Sequence, residues 1–213
     1  MSGELRVIPV AGLPEFSTQM PIGSEVAARV ELFDGDLVVV SQKIVSKAEG
    51  RVQKLSSVIP SSEARRLAAV LGKEPALVEL ILSESREVLR AEHGVLIVET
   101  HHGFVCANAG IDTSNLPEEN TVSLLPEDPD ASARRIRTEI HATTGATPAV
   151  IVSDSFGRAW RLGQVEVAIG CAGIAPLDDW RGRTDASGRE LEATMIAIAD
   201  EAAAAADLVR NKT

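Results

Sequence analysis

The fold prediction starts from the segment "PAVIVSDSFG" (residues 148–157), in which an apolar stretch is followed directly by residues with side-chain oxygens. The apolar stretch, residues 149–152, is short and rich in Val and Ile, which predicts a strand. Asp154 and Ser155 follow at the carboxyl end of that strand, where ligand sites on mixed sheets often lie. The same two residues also suit a plain turn before Gly157, so the segment alone leaves both interpretations open.

Strands and helices are intermixed on either side of this segment. Further strands are predicted at 5–10, at Leu37–Ser41, in "QVEVAIGCAGIAP" (164–176), and in a hairpin around "AEHG" (91–94). The segment "QKIVSKAEGRV" (42–52) predicts another strand or a turn. Helices are predicted at 25–32, from Ser61 or Ser62 to Gly72, at 75–83, around Ala133, Ile136 and Ile140 up to Gly145, and along "GRELEATMIAIADEAAAAADLVR" (188–210). Without a regular βαβ order, these elements predict one irregular α+β domain over residues 1–213.

The composition narrows the possible partners and locations of the protein. With 31 acidic and 21 basic residues the net charge is −10, which argues against a nucleic-acid surface. No apolar stretch approaches the ~20 residues that span a bilayer, and no signal peptide is evident at the N-terminus. Two cysteines are too few for a disulfide framework. We therefore expect a cytoplasmic protein that binds neither nucleic acid nor membrane.

A second oxygen-rich stretch, "NAGIDTSN" (108–115), also follows a strand-like segment. Asn, Asp, Ser and Gly form turns, but their hard side-chain oxygens are also what a divalent cation prefers. Two carboxylates ~4 Å apart would repel by about 4 kcal/mol at an effective dielectric of 20, and a cation between them removes that cost. We therefore hypothesise that Asp112 and Asp154 share a Mg²⁺ or Mn²⁺ ion.

Basic residues near the predicted strand ends could bind phosphate. Lys43 and Lys47 follow the strand Leu37–Ser41 and suit either phosphate ligands or an exposed edge. Arg158 and Arg161, around Trp160, could clamp an anion or cover a surface. The familiar nucleotide motifs GxxxxGK[ST] and GxGxxG do not occur in the sequence.

Five blocks of the sequence together resemble the coenzyme F420-0:L-glutamate ligase family, including the N-terminal ligase domain of two-domain actinobacterial enzymes. The blocks are "VIPVAGLPEF", "GDLVVVSQKIVSKAEGR", "HHGFVCANAGIDTSN", "VSDSFGRAWRLGQVEVAIGCAG" and "IADEAAAAADLV". The resemblance implies an α+β fold and an intertwined homodimer whose active site lies in a groove near the interface.

The same resemblance implies roles for particular residues. Asp112 and Asp154 correspond to the catalytic pair that binds one divalent metal, and Ser155 corresponds to a ligand of a second. The residues that correspond to GTP contacts are Leu13, Pro14, Glu15, Phe16, Gln42, Lys43, Lys47, Asn115, Thr194 and Met195.

Two features depart from the family pattern. At Met195 the family often has Glu or Gln as a ligand of the second metal, and a thioether is a poor ligand for Mg²⁺ or Mn²⁺. The second ion would then use another oxygen such as Glu192, or enter with GTP through Ser155. The spacing of Leu191, Met195 and Ile198 predicts a helix with Met195 packed in the core. The chain also ends at "LVRNKT", where relatives continue, which suggests truncation or a domain cut from a longer two-domain protein.

The implied reaction is GTP-dependent amide-bond formation between coenzyme F420-0, or F420-1, and L-glutamate. An acyl phosphate would form first, and GDP and phosphate would be released. Two alternatives remain open at this point. A metal-dependent phosphohydrolase would use the same Asp112 and Asp154 with water as the nucleophile, and a catalytically weak nucleotide- or F420-binding module would need no turnover.

Overall fold

The structure, a computed structural model, describes residues 4–114, 116, 118–157 and 162–210. Within these residues, helices and short strands alternate irregularly, and the strands form four small sheets, so the predicted α+β class is confirmed. The helices are α1 (Ile22–Ala27), α2 (Gln42–Ala48), α3 (Ser62–Leu71), α4 (Pro75–Ser83), α5 (Pro129–Thr144) and α6 (Ile198–Asp207). The strands are β1 (Leu37–Ser41), β2 (Val52–Lys54), β3 (Ser85–Glu92), β4 (Val95–Thr100), β5 (Val105–Ala107), β6 (Thr121–Ser123), β7 (Ala149–Phe156), β8 (Val165–Ala172), β9 (Asp178–Asp179) and β10 (Met195–Ile196).

The central sheet has the strand order β1-β7-β8, with β1 parallel to β7 and β8 antiparallel to it. Successive side chains of a strand point to opposite faces. Val150 and Val152 accordingly pack in a core with α1 and α5, whereas Ile151 packs against Ala199 and Ala203 of α6. A helix layer on each face explains why the apolar run of β7 is continuous rather than alternating.

A second core lies between α3, α4 and the β3-β4-β5 sheet. The predicted ends of α3 are confirmed: the Ser61 hydroxyl accepts the Ala64 N–H at 3.1 Å, and Gly72 ends the helix at φ 64°. The predictions of α4 and of the β3–β4 hairpin are also confirmed. This half of the molecule supplies β5 and the following turn, which lead to Asp112.

The helix α5 crosses the central sheet closely. Asp128 caps it by accepting the Ala131 N–H at 2.8 Å, and Gly145 ends it at φ 80°, as predicted. A Cβ atom at Gly170 of β8 would lie 2.3 Å from the backbone carbon of Pro129. The absence of a side chain at Gly170 therefore permits this approach of β8 to the first turn of α5.

Three local predictions are wrong or shifted. Residues 5–10 belong to no strand in the described structure, and the helix predicted at 25–32 is Ile22–Ala27. Residues 42–48 form the helix α2 instead of a strand or turn. The buried positions Gln42, Val45, Ser46 and Ala48 have helical spacing, whereas the strand-or-turn prediction rested on the alternation of Ile44 and Val45 with Lys43 and Lys47.

The predicted C-terminal helix is also much shorter than expected. It begins at Ile198, and Met195 lies in β10, which pairs with β9. Met195 is 43% exposed, so its predicted place in the core is wrong. The preceding segment makes backbone hydrogen bonds with residues 180–185, including Trp180 N–H to Thr194 O at 3.0 Å, and this local pairing competes with a helix. No helix among the described residues has the length and apolar character needed to span a membrane.

Candidate functional site

A cleft of about 2480 Å³ opens beside the carboxyl ends of β1 and β7, next to α2, the turn after β5 and the end of α6. Single small-molecule pockets are typically ~300–1,000 Å³, so the cleft has room for more than one substrate. Many residues that were predicted to form a site line it: Leu13, Glu15, Phe16, Gln42, Lys43, Lys47, Asp112, Asp154 and Ser155.

The remaining predicted site residues are placed differently. Pro14 is not among the lining residues, although both of its neighbours are. Thr194 and Met195 are exposed and do not line the cleft, and Glu192 is exposed outside it as well. Asn115 and the predicted anion clamp, Arg158 and Arg161 around Trp160, lie outside the described residues.

Asp154 is a half-buried carboxylate that lines the cleft. It lies within β7 rather than in a loop, because that strand continues to Phe156. Burial raises the pKa of Asp154 to about 7, and the charges of Glu166 and Asp112 act in the same direction. Hydrogen bonds from the Ser155 N–H and the Gln42 side chain oppose the rise. Asp154 therefore holds a proton more tightly than an ordinary aspartate does.

The pKa of Asp112 is lowered, in contrast to that of Asp154. Its Oδ2 lies 2.6 Å from Lys43 Nζ, while its Oδ1 accepts the Ser114 N–H at 2.7 Å and the Ser114 hydroxyl at 2.8 Å. Burial opposes ionisation, but the hydrogen bonds from Lys43 and Ser114 outweigh it and hold the pKa of Asp112 below its ordinary value. Asp112 is therefore ionised at neutral pH.

The turn that presents Asp112 has an unusual backbone. Asn108, Ala109 and Gly110 have φ values of 54°, 55° and 69°, so three successive residues are left-handed. This conformation is costly for the two residues that are not glycine, and it persists because the surroundings hold it. Asp112 then pairs with Ser123 through backbone hydrogen bonds of 3.1 and 2.9 Å. The stretch 108–114 is thus both a turn and the support of a site carboxylate.

The two lysines lie on one face of α2, because they are four positions apart in the helix. Lys47 pairs with Glu15, and its side chain is only 12% exposed, whereas that of Glu15 is 71% exposed. Lys43 pairs with Asp112 and also donates to the Ser114 carbonyl at 2.9 Å. Both ammonium groups therefore lie at the cleft, each beside one carboxylate.

The oxygens at Asp112 and Asp154 fit a hard divalent cation. Carboxylate and hydroxyl oxygens are ligands suited to Mg²⁺ or Mn²⁺, and no group of three or more His, Cys, Asp or Glu residues poised to hold a metal occurs in the described parts of the chain. The raised pKa of Asp154 reflects the cost of placing its charge away from water and near Glu166 and Asp112. An ion bound between the two aspartates would offset that cost.

Glu166 also lines the cleft, and the sequence reasoning missed it. It lies on β8 directly opposite Ser155 and is only 4% exposed. Burial opposes its ionisation, but hydrogen bonds from Ser155 and Ser153 and the charge of Arg210 outweigh this and lower the pKa of Glu166. The available signal was a lone acidic residue inside the apolar strand "VEVAIG", because such a residue is rarely buried without partners.

The structure is that of an α+β protein with a large cleft at strand ends, lined by partly buried carboxylates and lysines, as is common in enzymes. Residues 14–213 match the profile of the F420-0:Gamma-glutamyl ligase family, and the chain therefore belongs to that family. The resemblance inferred from the sequence blocks is confirmed.

Individual relatives cover most of the chain. The coenzyme F420:L-glutamate ligase of Methanothermobacter thermautotrophicus is 50% identical over 84% of this chain and 71% of its own length. The enzyme of the same name from Methanocaldococcus jannaschii is 44% identical over 98% of this chain and 84% of its own length. That of Archaeoglobus fulgidus is 43% identical over 96% and 82%, respectively.

Proposed function

We propose that this protein is a GTP-dependent ligase that joins coenzyme F420-0, or F420-1, to L-glutamate through an amide bond. Membership of the ligase family and the names of its relatives support the substrates. The observation that carries the proposal is the meeting of Asp112, Asp154, Lys43 and Lys47 in one cleft, because these groups suit a cation and a polyphosphate together.

The reaction needs activation of a carboxylate, whose oxygen is a poor leaving group. An oxygen of the F420-0 carboxylate attacks the γ-phosphorus of GTP, the bond to the β-phosphate oxygen breaks, and GDP leaves. The glutamate amine then attacks the acyl carbon, a C–N bond forms, the C–O bond to phosphate breaks, and the amine loses a proton. No side-chain nucleophile is needed, so the protein contributes positioning and charge compensation.

The residues of the cleft have distinct roles in this scheme. Lys43 and Lys47 would face the GTP phosphates, and Leu13, Pro14, Glu15, Phe16 and Gln42 would border the nucleotide. Asp112 and Asp154 would hold one Mg²⁺ or Mn²⁺, and Ser155 would contribute to a second that enters with GTP. When bound, these ions neutralise charge that develops on the transferred phosphoryl group. Asn115, Thr194 and Met195 stay predictions as nucleotide contacts.

We also propose that the protein works as a homodimer. Leu5 and Ile8 in the N-terminal segment are 81% and 61% exposed, and this segment borders the cleft. Exposed apolar side chains along a segment without strand partners suit contact with a second copy.

A product assay tests the ligase function. The protein is incubated with F420-0, GTP, Mn²⁺ and glutamate, and mass spectrometry follows the F420 species while chromatography follows GDP. We expect the mass of F420-0 to increase by one glutamyl residue, with one GDP formed per amide bond. Matched reactions omit glutamate or use Asp154→Asn, and neither should give product. GTP turnover that ignores glutamate and F420-0 would instead identify a phosphohydrolase.

A further inference from the structure

The end of β7 presents different groups on its two sides. Asp154 lies on the face shared with Val152, towards α2, where Gln42 and Asp112 are its neighbours. Ser153 and Ser155 lie on the opposite face, towards α6, because successive strand residues alternate. Asp154 and Ser155 thus lie on opposite faces of the end of β7, with Asp112 near Asp154. The face that carries Ser155 has its own buried carboxylate, Glu166.

Both carboxylate oxygens of Glu166 have partners. Its Oε1 accepts the hydroxyl of Ser155, which faces it across the ladder. Its Oε2 accepts the Ser153 hydroxyl at 2.7 Å and a guanidinium N–H of Arg210 at 2.9 Å. Arg210 follows α6, so the contact also ties the end of that helix to the site.

We propose that Glu166 is a positioning residue that orients the Ser155 oxygen as a ligand. A serine hydroxyl has one hydrogen and two acceptor lone pairs. Because the hydrogen of Ser155 is donated to Glu166, the lone pairs of Ser155 point away from Glu166 and are free for a cation. This inference rests on the proposed function, in which Ser155 contributes to the second divalent ion.

Glu166 itself acts from behind Ser155 and does not hold the ion. Its two oxygens already accept three hydrogen bonds from the protein, and only 4% of the residue is exposed. Fold stability alone gives little reason for the Glu166–Arg210 pair, because buried ion pairs are often replaceable by apolar residues without loss of stability. Orientation of a ligand oxygen by a buried carboxylate is a known use of such groups around metal sites.

Glu166→Gln tests the proposal because Arg210 determines how the amide must lie. Arginine can only donate, so the amide oxygen faces Arg210 and the NH₂ group faces Ser155. The Ser155 oxygen then has to accept a hydrogen bond from the amide, so one of its two lone pairs is no longer available to a cation. In Mn²⁺ titrations of the GTP-bound protein followed by electron paramagnetic resonance, we expect the second ion to bind about 10–100-fold more weakly and the first ion to bind unchanged.

Two further variants separate positioning from a general structural effect. Ser153→Ala removes a contact to the other oxygen of Glu166 on the same face, and it should leave both Mn²⁺ affinities at the wild-type values. The double variant Ser155→Ala/Glu166→Gln should bind the second ion no more weakly than Ser155→Ala alone, because the two residues act as one unit. If circular dichroism shows that Glu166→Gln does not fold, Glu166→Asp takes its place in the same cycle.

The outcomes distinguish this inference from the proposed function. Wild-type protein that binds Mn²⁺ as expected, together with unchanged second-ion affinity in Glu166→Gln, overturns only the positioning role. Additive losses in the double variant do the same, since they indicate an indirect structural effect. A wild-type protein that binds no Mn²⁺ with GTP present overturns both the metal site and the inference built on it.

Discussion

At the scale of single residues, the site depends on two aspartates whose surroundings differ. Lys43 and Ser114 hold Asp112 in its ionised form, whereas burial favours the protonated form of Asp154. Such a pair is electrostatically unfavourable when both members are charged, and a cation relieves it. The sequence located both carboxylates, but only the packing shows that one of them titrates near neutral pH.

The stability of the metal-free protein should therefore depend on the ionisation of Asp154. The pKa of Asp154 in the folded protein is about 7, above the ordinary value of 3.8, so the native state binds the proton more tightly than the unfolded state does. The resulting stabilisation is complete below the unfolded pKa and is lost as the pH rises through about 7. The difference amounts to at most about 4 kcal/mol.

Asp154→Asn should remove this pH-dependent loss and make the metal-free protein more stable than wild type at pH 8, while abolishing ligation. Urea denaturation in the presence of a chelator at pH 5 and pH 8 measures the effect. Glu192→Gln, which changes an exposed carboxylate outside the cleft, is the matched control and should follow wild type. A variant that ligates normally, or that is no more stable than wild type at pH 8, would contradict the role of Asp154.

Lys47 allows a separate test of the nucleotide site. Its ammonium pairs with Glu15 at the cleft, and in the proposed complex it would face a GTP phosphate instead. Lys47→Ala should weaken GTP binding by about 1.5–3 kcal/mol if a charged hydrogen bond is lost. Isothermal titration calorimetry measures the affinity, with Lys54→Ala as a control because Lys54 makes an exposed pair with Glu118. Equal GTP affinity in wild type and Lys47→Ala would show that Lys47 does not bind the nucleotide and only pairs with Glu15.

At the scale of secondary-structure elements, α2 is a helix that the local sequence pattern did not predict. Its apolar residues Ile44 and Val45 are adjacent and lie between two lysines, a pattern that predicted a strand or turn. The helix forms because Val45, Ser46 and Ala48 are buried and because the Ser46 hydroxyl donates to the Leu124 carbonyl at 2.6 Å. Tertiary contacts of this kind override weak local preference in short helices. The helical form is also what brings Lys43 and Lys47 to the same face.

The crossing of β8 and α5 gives a prediction about stability. In Gly170→Ala the new Cβ atom would lie 2.3 Å from the backbone carbon of Pro129, and backbone atoms cannot move aside as a flexible side chain can. We expect a loss of about 1–3 kcal/mol or more, as for other overpacked positions. Gly157→Ala, with no atom within 4 Å of the new Cβ, is the control and should change stability little. Urea denaturation curves compare both variants with wild type, and a stable Gly170→Ala protein would show that α5 can shift freely.

At the scale of the whole molecule, the sequence predicted the elements better than their arrangement. Capped helices such as α3 and α5 and the β3–β4 hairpin carry local signals, and all three are present. The parallel pairing of β1 with β7 joins distant segments and has no local signal. The cross-strand pair of Ser155 and Glu166 depends on the register of β7 with β8, so Glu166 could not be assigned before that register was known. The family blocks predicted roles for Asp112 and Asp154 without any such knowledge, and both residues line the cleft.

The homodimer gives the last prediction, which concerns the N-terminal segment. Residues 5–10 have the sequence of a strand, yet they pair with no strand in the described chain, and Leu5 and Ile8 are 81% and 61% exposed. Exposed apolar side chains along a segment that pairs with no strand of the described chain suit burial against a second copy. We expect light scattering after size-exclusion chromatography to give twice the chain mass of 22.5 kDa.

Replacing both Leu5 and Ile8 by Ser should shift the protein towards the monomer at a given concentration, because apolar area of the interface is lost at about 25 cal/mol per Å². Ile59→Ser is the matched control, since Ile59 is 87% exposed and lies outside the cleft. Circular dichroism establishes that each variant is folded before its mass is compared. A wild-type protein that is monomeric at micromolar concentration would contradict the dimer itself. A double variant that dimerises as tightly as Ile59→Ser would show instead that the interface lies elsewhere on the surface.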